Sequence, residues 1–433
     1  PSKRVVDCGF TKEGWLYKTN ASGDSYVYQN VLDENGNKVV NPNAQFNEAA
    51  MHVLGLADSD NVMHYYGLPE EQSFMMMFVR NDILADLGIE IPKTWDDVQA
   101  AIPVLQANNM EIGMPNEYRI FMYQDGSELF ADNGMRINLD SNVGIDSFEY
   151  MCNLFTMYSF PYSYDFSNRF RTGEMPIGFA GYGGTYNQLI VFATEIRGLW
   201  SFYPLPGIAT ERIDEEGNVV QDINNVAVAS VSAISMINGC DHVDGAWEFM
   251  KWHVSAECQI DYSNEMVAIL GDSAKYQTAN ITALESMPWT TSEYEQLQAQ
   301  FNNLASIPNY PGSYIIGRYT KFAFLSAYND KMNPADAIQS YINIINKEIT
   351  RKREEFDLET LEVGETLAEK RINMSLKILD DLNSSEKSKY SAEIKALRDA
   401  INDLTTFKAY VPDEEIEALI AASNRLRATQ YSK

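Results

Sequence analysis

Aromatic side chains at strand ends and in loops are the residues of this sequence best suited to recognising a ligand. The chain contains 25 Tyr, 20 Phe and 6 Trp. Flat rings stack on the apolar faces of pyranose sugars, while carboxylates, amides and Arg bind the sugar hydroxyls within a cleft. Packing explains any one of these residues more simply, but as a group they favour a sugar-binding site. The candidates are Tyr65, Tyr66, Tyr118, Tyr182, Tyr186, Trp200, Trp289 and Tyr314.

Motifs for metal binding, nucleophilic catalysis or phosphate binding are missing from the sequence. Its histidines form neither an HExxH motif nor a pair at ligand spacing, and there is no GxSxG elbow. These histidines are His52, His64, His242 and His253. The glycine-rich residues 181–184 lack the Lys-Ser/Thr of a P-loop, although a helix beginning there can donate N–H groups to a ligand. We therefore predict no cofactor, no metal and no catalytic residue.

Acidic pairs keep a second functional class open. Glu70-Glu71, Asp96-Asp97 and Glu215-Glu216 could each serve as the carboxylates of a glycosidase, but the separation that such a mechanism requires is a property of the fold. Helix caps and solvated surface explain them more simply. The acidic turns at 33–37 and 214–218 lack the ligand spacing of a calcium-binding EF-hand loop and read as hairpin turns. A secreted carbohydrate-active enzyme and a non-catalytic interaction module remain the alternatives to a binding protein.

The charge balance excludes two classes of partner. The 433 residues include 61 Asp and Glu against 33 Lys and Arg, which gives a formal net charge of −28. A surface this negative repels nucleic-acid phosphates and anionic lipid headgroups. We expect no nucleic-acid partner, and contact with a membrane only through a lipid anchor outside this segment.

Cysteine usage and hydropathy bound the setting of the chain. Cys8, Cys152, Cys240 and Cys258 are scattered and form no CxxC pair, which favours free buried thiols over a disulfide framework. The longest apolar runs, such as residues 74–79, are far shorter than the roughly 20 residues of a membrane span. No signal peptide opens the chain, so we expect a cytoplasmic protein or a mature or excised piece of a longer one.

The first half of the chain reads as α/β. An Asn-Gly turn at 35–36 between short apolar runs predicts a hairpin, with strands at 26–28 and 39–40. The run FMMMFV at 74–79 predicts a buried strand, followed by a short helix through Leu87 that Asn81 caps and Gly88 ends. Thr94 and the acid at Asp97 predict the start of another helix, which Pro103 should kink or split.

Further elements alternate in the same way. We predict strands at 110–114 and 176–180 and helices at 145–160 and 181–194. Asp241 is expected to cap a helix whose buried face carries Val243, Ala246, Trp247, Met250 and Val254. The predicted core of the α/β region comprises Met76, Phe78, Trp95, Val98, Ile102, Leu105, Ile177 and Phe179, with Trp247 packing from the following helix.

The last third of the chain is helical by composition. Asn333, Pro334 and Asp336 form a strong helix start, and the basic residues 351–353 read as its solvated end. Residues 358–433 have almost no Gly and a single Pro, with helical periodicity near 364–383, 386–404 and 412–428. The expected bundle core comprises Met374, Leu376, Ile378, Leu379, Leu382, Ile394, Leu397, Ile401, Leu404, Ile416, Leu419 and Ile420.

Several segments resemble the family 1 extracellular solute-binding proteins, which include the maltodextrin-binding proteins. The most specific is GIEIPKTWDD at 88–97. YGLPEEQ at 66–72 with FMMMFVRNDIL at 74–84, RTGEMPIG at 171–178 and IPNYP at 307–311 resemble other family segments. The resemblance covers about residues 60–357, with Glu117-Tyr118 in the place of an acid-aromatic cleft segment and Gly183-Gly184 where the family carries Trp.

The resemblance implies a type II periplasmic-binding-protein-like fold: two α/β lobes joined by a hinge, closing on a ligand in the cleft between them. It implies a bacterial extracellular protein, attached to the cell surface, that binds an oligosaccharide or other small solute and delivers it to the permease subunits of an ABC importer. The ligand-binding residues expected on this basis are Tyr66, Glu117, Tyr118, Tyr182, Tyr186, Trp200, Trp289, Tyr314 and Arg318.

Both ends of the chain depart from the family pattern. Residues 1–60 are irregular and β-leaning and offer no series of buried parallel strands, so we expect an incomplete first lobe. The expected domains are this N-terminal segment, an α/β lobe at 61–240, a helical remainder at 241–357 that completes the second lobe and hinge, and an all-helical C-terminal tail at 358–433.

Overall fold

The computed structural model describes residues 30–32, 38–40, 45–57, 63–213, 219–237, 239–360, 366–405 and 413–431. Two compact units divide the chain. Unit 1 consists of Pro1–Gly126 and Tyr158–Asn309, and unit 2 of Ser127–Met157 and Tyr310–Lys433. The domain boundaries at 60, 240 and 357 remain a prediction from the sequence.

Strands and helices alternate through the first half of the chain. Unit 1 begins with β1 (Asn30–Leu32), β2 (Lys38–Val40), α1 (Glu48–His52), β3 (Gly55–Ala57), β4 (Met63–Tyr65), β5 (Leu68–Ser73), β6 (Met75–Arg80), α2 (Asn81–Leu87), α3 (Trp95–Ala107), β7 (Ile112–Gly113) and α4 (Arg119–Gln124). Unit 2 contributes β8 (Phe130–Ala131), β9 (Arg136–Ile137) and α5 (Asn142–Thr156).

The remaining elements complete the two units in turn. Unit 1 continues with α6 (Phe166–Thr172), β10 (Ile177–Gly181), α7 (Tyr182–Phe192), β11 (Trp200–Tyr203), β12 (Ile208–Ile213), β13 (Val219–Asn224), β14 (Ala227–Ile234), α8 (Val243–His253), α9 (Ala256–Leu270), α10 (Ile281–Ser286), α11 (Thr291–Phe301) and β15 (Leu304–Ser306). Unit 2 ends with α12 (Ile316–Asp330), α13 (Pro334–Glu355), α14 (Thr366–Asp381), α15 (Ser384–Lys389), α16 (Ser391–Thr405) and α17 (Asp413–Tyr431).

A four-stranded sheet forms the centre of unit 1. Its strand order is β11-β6-β10-β7, with β6 antiparallel to both of its neighbours and β10 parallel to β7. The predicted core residues of this region are all buried, Met76 and Phe78 completely so. Gly178 on β10 is required by packing, because a Cβ there would stand 1.9 Å from the Phe166 ring. The predicted α/β class and its main buried strands are confirmed.

A second sheet of unit 1 carries its own apolar cluster. Strands β15, β14 and β5 lie side by side. The cluster beside them includes Phe46, Met51, Leu68 and Met250, and the half-buried Trp247 packs against it. Trp247 therefore belongs to this second cluster of unit 1, not to the group around Met76 with which the sequence placed it.

Local signals set the bounds of α2 and α3 in part as predicted. The Thr94 side chain accepts a hydrogen bond from the Asp97 backbone N–H at 3.1 Å, and the Asp97 carboxylate accepts one from the Thr94 N–H at 2.9 Å. Together they make the capping box that the sequence indicated. Gly88 ends α2 in the left-handed conformation that favours glycine. Pro103 does not split α3, which runs unbroken through it.

Three local predictions were wrong. Asn81 is the first residue of α2 and not its cap, since its amide donates to Ser201 Oγ at 3.0 Å. His242, not Asp241, holds the cap position of α8 and makes no side-chain cap bond. Arg353 is buried rather than solvated, because its guanidinium turns back to donate to the Glu359 carbonyl at 2.7 Å.

Two antiparallel strand pairs flank the acidic segments 33–37 and 214–218 of the sequence. Strands β1 and β2 pair from Asn30↔Val40 to Leu32↔Lys38, and β12 pairs with β13. The connecting residues 33–37 and 214–218, the run at 26–28 and Cys8 lie outside the described residues. Of the described cysteines, Cys152 is buried and Cys240 and Cys258 are half-buried, all three as free thiols.

Unit 2 is mainly helical. Phe155 of α5 meets Phe324 of α12 edge to face, with ring centroids 5.0 Å apart. Asn333 caps α13 as predicted and accepts from the Ala335 and Asp336 N–H groups. The buried face of α13 carries Ile338, Ile342, Ile345 and Ile349.

The described residues of the C-terminal tail form four helices, one more than predicted, because the short α15 separates α14 from α16. Its core contains Leu379, Leu382, Tyr390, Ile394, Leu397, Ile401, Leu419, Ala422 and Leu426. Leu376, expected in this core, is exposed instead. The side chains of Leu404 and Ile416 lie outside the description. Polar contacts hold the tail to the rest of unit 2, since Arg427 pairs with Asp146 of α5 and Asn424 donates to Asp336 of α13.

Candidate ligand-binding pocket

A pocket of about 290 Å³ opens in unit 1 between α7, β11 and the start of α11. Its wall combines aromatic rings, both signs of charge and several hydroxyl and amide groups. The lining residues are Tyr186, Ile190, Arg197, Gly198, Trp200, Ser201, Phe202, Tyr203, Asp272, Lys275, Pro288, Thr290, Ser292, Glu293 and Gln296. Ligand sites in proteins occupy roughly 300–1,000 Å³, so this pocket suits a small ligand or one end of a larger one.

The central sheet positions the aromatic side of the pocket. Strand β10 leads directly into α7, which carries Tyr186 on its second turn, and β11 at the edge of the sheet brings Trp200 and Phe202 alongside. The Tyr186 ring meets Trp200 at 5.8 Å and Phe202 at 5.9 Å, both edge to face. Trp289, just before α11, closes the group with its ring centroid 5.2 Å from that of Tyr186. Edge-to-face geometry is favourable for aromatic pairs, so the rings are held in fixed orientations.

A polar network crosses this aromatic group. The buried Lys275 follows the 3-10 turn Asp272–Ala274, and its Nζ donates to Tyr186 Oη at 2.9 Å and to Glu293 Oε2 at 3.2 Å. The Tyr186 hydroxyl in turn donates to Glu293 Oε1 at 2.8 Å. The Lys275 ammonium also lies 4.5 Å from the centre of the Trp289 ring and 4.8 Å from that of Tyr186. The three residues thus form a closed hydrogen-bonded triangle between two aromatic rings.

Glu293 has a second role at the start of α11. Thr290 and Glu293 form a reciprocal capping box, in which the Glu293 carboxylate accepts from the Thr290 N–H at 3.0 Å. The carboxylate is therefore held from the backbone side by the helix start and from the pocket side by Tyr186 and Lys275. A side chain fixed at both oxygens presents a defined surface to a ligand.

The hydrogen bonds and charges of this network determine the ionisation of Glu293 and Tyr186. Burial acts to raise the pKa of Glu293, but the Thr290 backbone bond, the Tyr186 hydroxyl and the Lys275 charge together lower it below its usual 4.5. Burial, with the neighbouring Glu293 charge, raises the pKa of the Tyr186 phenol. At neutral pH the network holds a carboxylate beside an intact phenol, a state with both donors and acceptors.

The structure separates the predicted site residues into three groups. Tyr186 and Trp200 line the pocket. Tyr182 and the half-buried Trp289 stand behind it, with ring centroids 6.4 Å apart and Tyr182 fully buried. The Gln277 side chain occupies the space beside Gly183, because a Cβ on Gly183 would stand 2.1 Å from Cδ of Gln277.

The remaining predicted residues lie elsewhere. In unit 1, Tyr65 is buried in the second cluster and Tyr66 is half-buried beside it in sequence. Tyr118 is buried at the start of α4. Glu117 pairs with Arg119. In unit 2, Tyr314 and Arg318 are both exposed, and the Tyr314 hydroxyl donates to Glu348. A part for these residues in ligand binding remains a prediction.

Lys275 and Glu293 were missed from the sequence. The spacing of Thr290 and Glu293 is a capping-box signal, so the start of α11 could have been predicted, but not the use of its carboxylate in a pocket. No motif or spacing in the sequence around Lys275 indicates that it belongs to a pocket. Within the described residues, no group of three or more His, Cys, Asp or Glu side chains is placed to bind a metal ion. Likewise, none of the helices in the described ranges is long and apolar enough to cross a membrane.

Comparison with known proteins identifies the family. Residues 5–260 match the bacterial extracellular solute-binding proteins. This chain belongs to that family. No curated protein sequence matches this solute-binding protein.

Solved structures share its fold at low sequence identity. The sugar-binding protein MalE from Xanthomonas citri has a TM-score of 0.58 at 15% identity over 73% of this chain and 77% of its own. MalE from Listeria monocytogenes in complex with maltose has a TM-score of 0.53 at 14% identity over 71% and 77%. An ABC transporter solute-binding protein from Thermotoga lettingae, bound with α-D-tagatose, has a TM-score of 0.52 at 16% identity over 66% and 73%. The predicted type II periplasmic-binding-protein-like fold is confirmed.

Proposed function

We propose that this solute-binding protein captures a small carbohydrate, an oligosaccharide or part of one, in the pocket of unit 1 and delivers it to an ABC importer. The observation that carries the proposal is the Tyr186–Glu293–Lys275 triangle set among Trp200, Phe202 and Trp289. Apolar ring surface and fixed hydrogen-bonding groups side by side are what a sugar, with its apolar faces and hydroxyl edges, requires.

The comparisons support the same ligand class. Structures of similar fold include proteins described with maltose, α-D-tagatose, maltotetraose and cycloalternan. Two are described as parts of ABC transport systems. We propose by analogy that this chain lies outside the cell, is held at the cell surface and works with the permease subunits of an importer.

The state of the Glu293 carboxylate favours binding over catalysis. A glycosidase acid needs a raised pKa so that it is protonated at neutral pH. Glu293 has the opposite shift, and its two oxygens already accept from Tyr186, Lys275 and the Thr290 backbone. We therefore propose that the protein is not an enzyme.

The test is thermal and chemical denaturation against a panel of sugars that includes maltose, maltotetraose, cycloalternan and tagatose. A sugar that binds the native state raises the melting temperature, and at about 100 times its Kd adds about 2.7 kcal/mol to the free energy of unfolding. Chromatography of the same samples detects any product. A panel without a stabilising sugar contradicts the proposal, and sugar turnover would favour a carbohydrate-active enzyme.

A matched pair of variants locates the site. Trp200→Ala removes a ring from the pocket wall, and we expect it to weaken sugar binding by about 1–3 kcal/mol. Trp252→Ala removes an exposed ring from α8, which does not line the pocket, and should leave the affinity unchanged. Equal affinities for the two variants would place the ligand somewhere else.

A further inference from the structure

Lys275 carries a buried charge that the fold has to stabilise. Its side chain is only 4% exposed, and an ammonium removed from water is costly unless it is paired and hydrogen-bonded. Glu293 is its near partner, with Asp272 farther away at 3.9 Å. A methionine of similar volume would pack against Trp289 and Tyr186 without that cost. Packing alone therefore gives no reason for a lysine at this position.

The hydrogen bonds of Lys275 act on the two groups best placed to meet a sugar hydroxyl. One N–H is directed to Tyr186 Oη and another to Glu293 Oε2. Since the Tyr186 hydroxyl accepts from Lys275, its own proton is committed to Glu293 Oε1. Within the described part of the chain, Lys275 Nζ has no third hydrogen-bond acceptor, since Asp272 Oδ1 lies 3.9 Å away, and Lys275 is part of the pocket wall.

The charged groups of the pocket sum to zero. The charged residues that line it are Arg197, Asp272, Lys275 and Glu293, two of each sign. Removal of the Lys275 charge would leave the site negative and Glu293 without its cationic partner. A charged ligand needs a side chain of opposite charge, and the charged residues of this pocket already balance one another. An uncharged ligand rich in hydroxyls needs no such partner.

We infer that Lys275 is the positioning residue of the pocket: it orients Tyr186 and Glu293, offers one N–H to the ligand, and completes a charge-neutral site suited to uncharged sugars. This rests on the proposed function. Lys275 is distant from both partners in sequence, and the turn Asp272–Ala274 brings it to the face of α7 that carries Tyr186. The fold of unit 1, and no local sequence pattern, therefore places Lys275 beside its two partners.

The experiment compares Lys275→Met with Lys275→Arg by calorimetry, using maltotetraose or whichever uncharged sugar of the panel binds. We expect Lys275→Met to weaken binding at least about 10-fold, because a hydrogen bond to a charged group is lost and another is misdirected. Lys275→Arg keeps the charge and should recover a large part of the affinity. Digalacturonate, an acidic sugar, should bind the wild type more weakly than the uncharged sugar.

Lys251→Met is the matched control. Lys251 lies 5.4 Å from the centre of the Trp247 ring and pairs with Glu248 at 2.6 Å, so it repeats the lysine–carboxylate–tryptophan arrangement outside the pocket. Its loss should leave sugar affinity unchanged. Circular dichroism of every variant verifies that the fold is retained.

The pH dependence of binding separates positioning from simple structural support. Glu293 is faced by Tyr186 from α7, by Lys275 and Asp272 from the turn, and by Arg197 from the segment before β11. Without the Lys275 charge the pKa of Glu293 should rise. As the pH is lowered, Lys275→Met should therefore lose affinity at a higher pH than the wild type does, whereas Lys275→Arg should follow the wild type.

The outcomes separate the inference from the function on which it rests. A wild type that binds no sugar overturns both. A wild type that binds, with Lys275→Met equal to it in affinity and pH profile, overturns the assignment of Lys275 and leaves the proposed function standing. Tighter binding of digalacturonate than of the uncharged sugar overturns the suitability of the site for uncharged sugars.

Discussion

Tyr186→Phe removes one oxygen from the centre of the pocket and leaves the ring in place. The hydroxyl donates to Glu293 Oε1 and accepts from Lys275 Nζ, and the residue is 3% exposed. The phenylalanine ring keeps the edge-to-face contacts with Trp200, Phe202 and Trp289. Any loss of stability therefore reports on the hydrogen bonds and not on packing.

The expected loss follows from the charges of the two partners. A hydrogen bond to a charged group contributes about 1.5–3 kcal/mol, against about 1 kcal/mol for a neutral pair. Lys275 and Glu293 retain their direct contact at 3.2 Å, and Glu293 Oε2 retains the Thr290 N–H. Since each partner is only partly orphaned, we expect a total loss near 2 kcal/mol in the free energy of unfolding.

Tryptophan fluorescence during urea denaturation measures this loss in the right part of the chain, because all six tryptophans fall within the residue ranges of unit 1. The midpoint should fall with an unchanged m-value. Tyr203→Phe is the control, since that hydroxyl lines the same pocket but donates to the neutral Asn81 Oδ1 at 3.1 Å. A loss below about 0.5 kcal/mol for Tyr186→Phe, or one no larger than that of the control, would refute the network.

Two further predictions concern acid sensitivity and the tail. The folded pKa of Glu293 lies below 4.5, so its ionised form stabilises the fold above about pH 4.5 and this contribution disappears as the pH falls through the lower folded value. The stability difference between wild type and Glu293→Gln, from denaturation at pH 3 to 7, should therefore be largest near neutrality; a difference that grew in acid would contradict the assignment. Leu397→Ala in the fully buried tail core should cost about 2–5 kcal/mol by thermal unfolding at 222 nm, and Leu376→Ala, at an exposed position, less than about 0.5 kcal/mol. Equal effects of the two leucine variants would refute the packing of the tail.

Elements with strong local signals could be predicted from the sequence. The capping box at Thr94 and the Asn333-Pro334 start are local in cause, since a side chain three residues away satisfies the free N–H groups of the helix. The run at 74–79 was recognised as a buried strand because a strand covered on both faces has no polar alternation. The prediction for Arg353 was wrong for the complementary reason. Three basic residues in a row indicate exposure to solvent, and only the turn of the chain back to Glu359 brings a carbonyl acceptor to the guanidinium.

The residues in and around the candidate pocket also divide into those that could be predicted from the sequence and those that could not. Tyr186 and Trp200 could be chosen by residue type and by their places near the ends of predicted elements. Gln277, which lies against Gly183, and Lys275, which lies under Trp289, come from a turn with no recognisable pattern. Their contribution depends on where α9 ends and how the chain returns toward α7.

By itself, the sequence determined the α/β class, the buried strands and the helix starts at Thr94 and Asn333, because apolar periodicity and capping act locally. Only the tertiary structure decided which charges meet. Tyr186 lies 107 residues from Glu293 and 89 from Lys275, and no local preference links them. Tyr186 and Lys275 are buried beside the half-buried Glu293, and removal from water makes each of their hydrogen bonds obligatory.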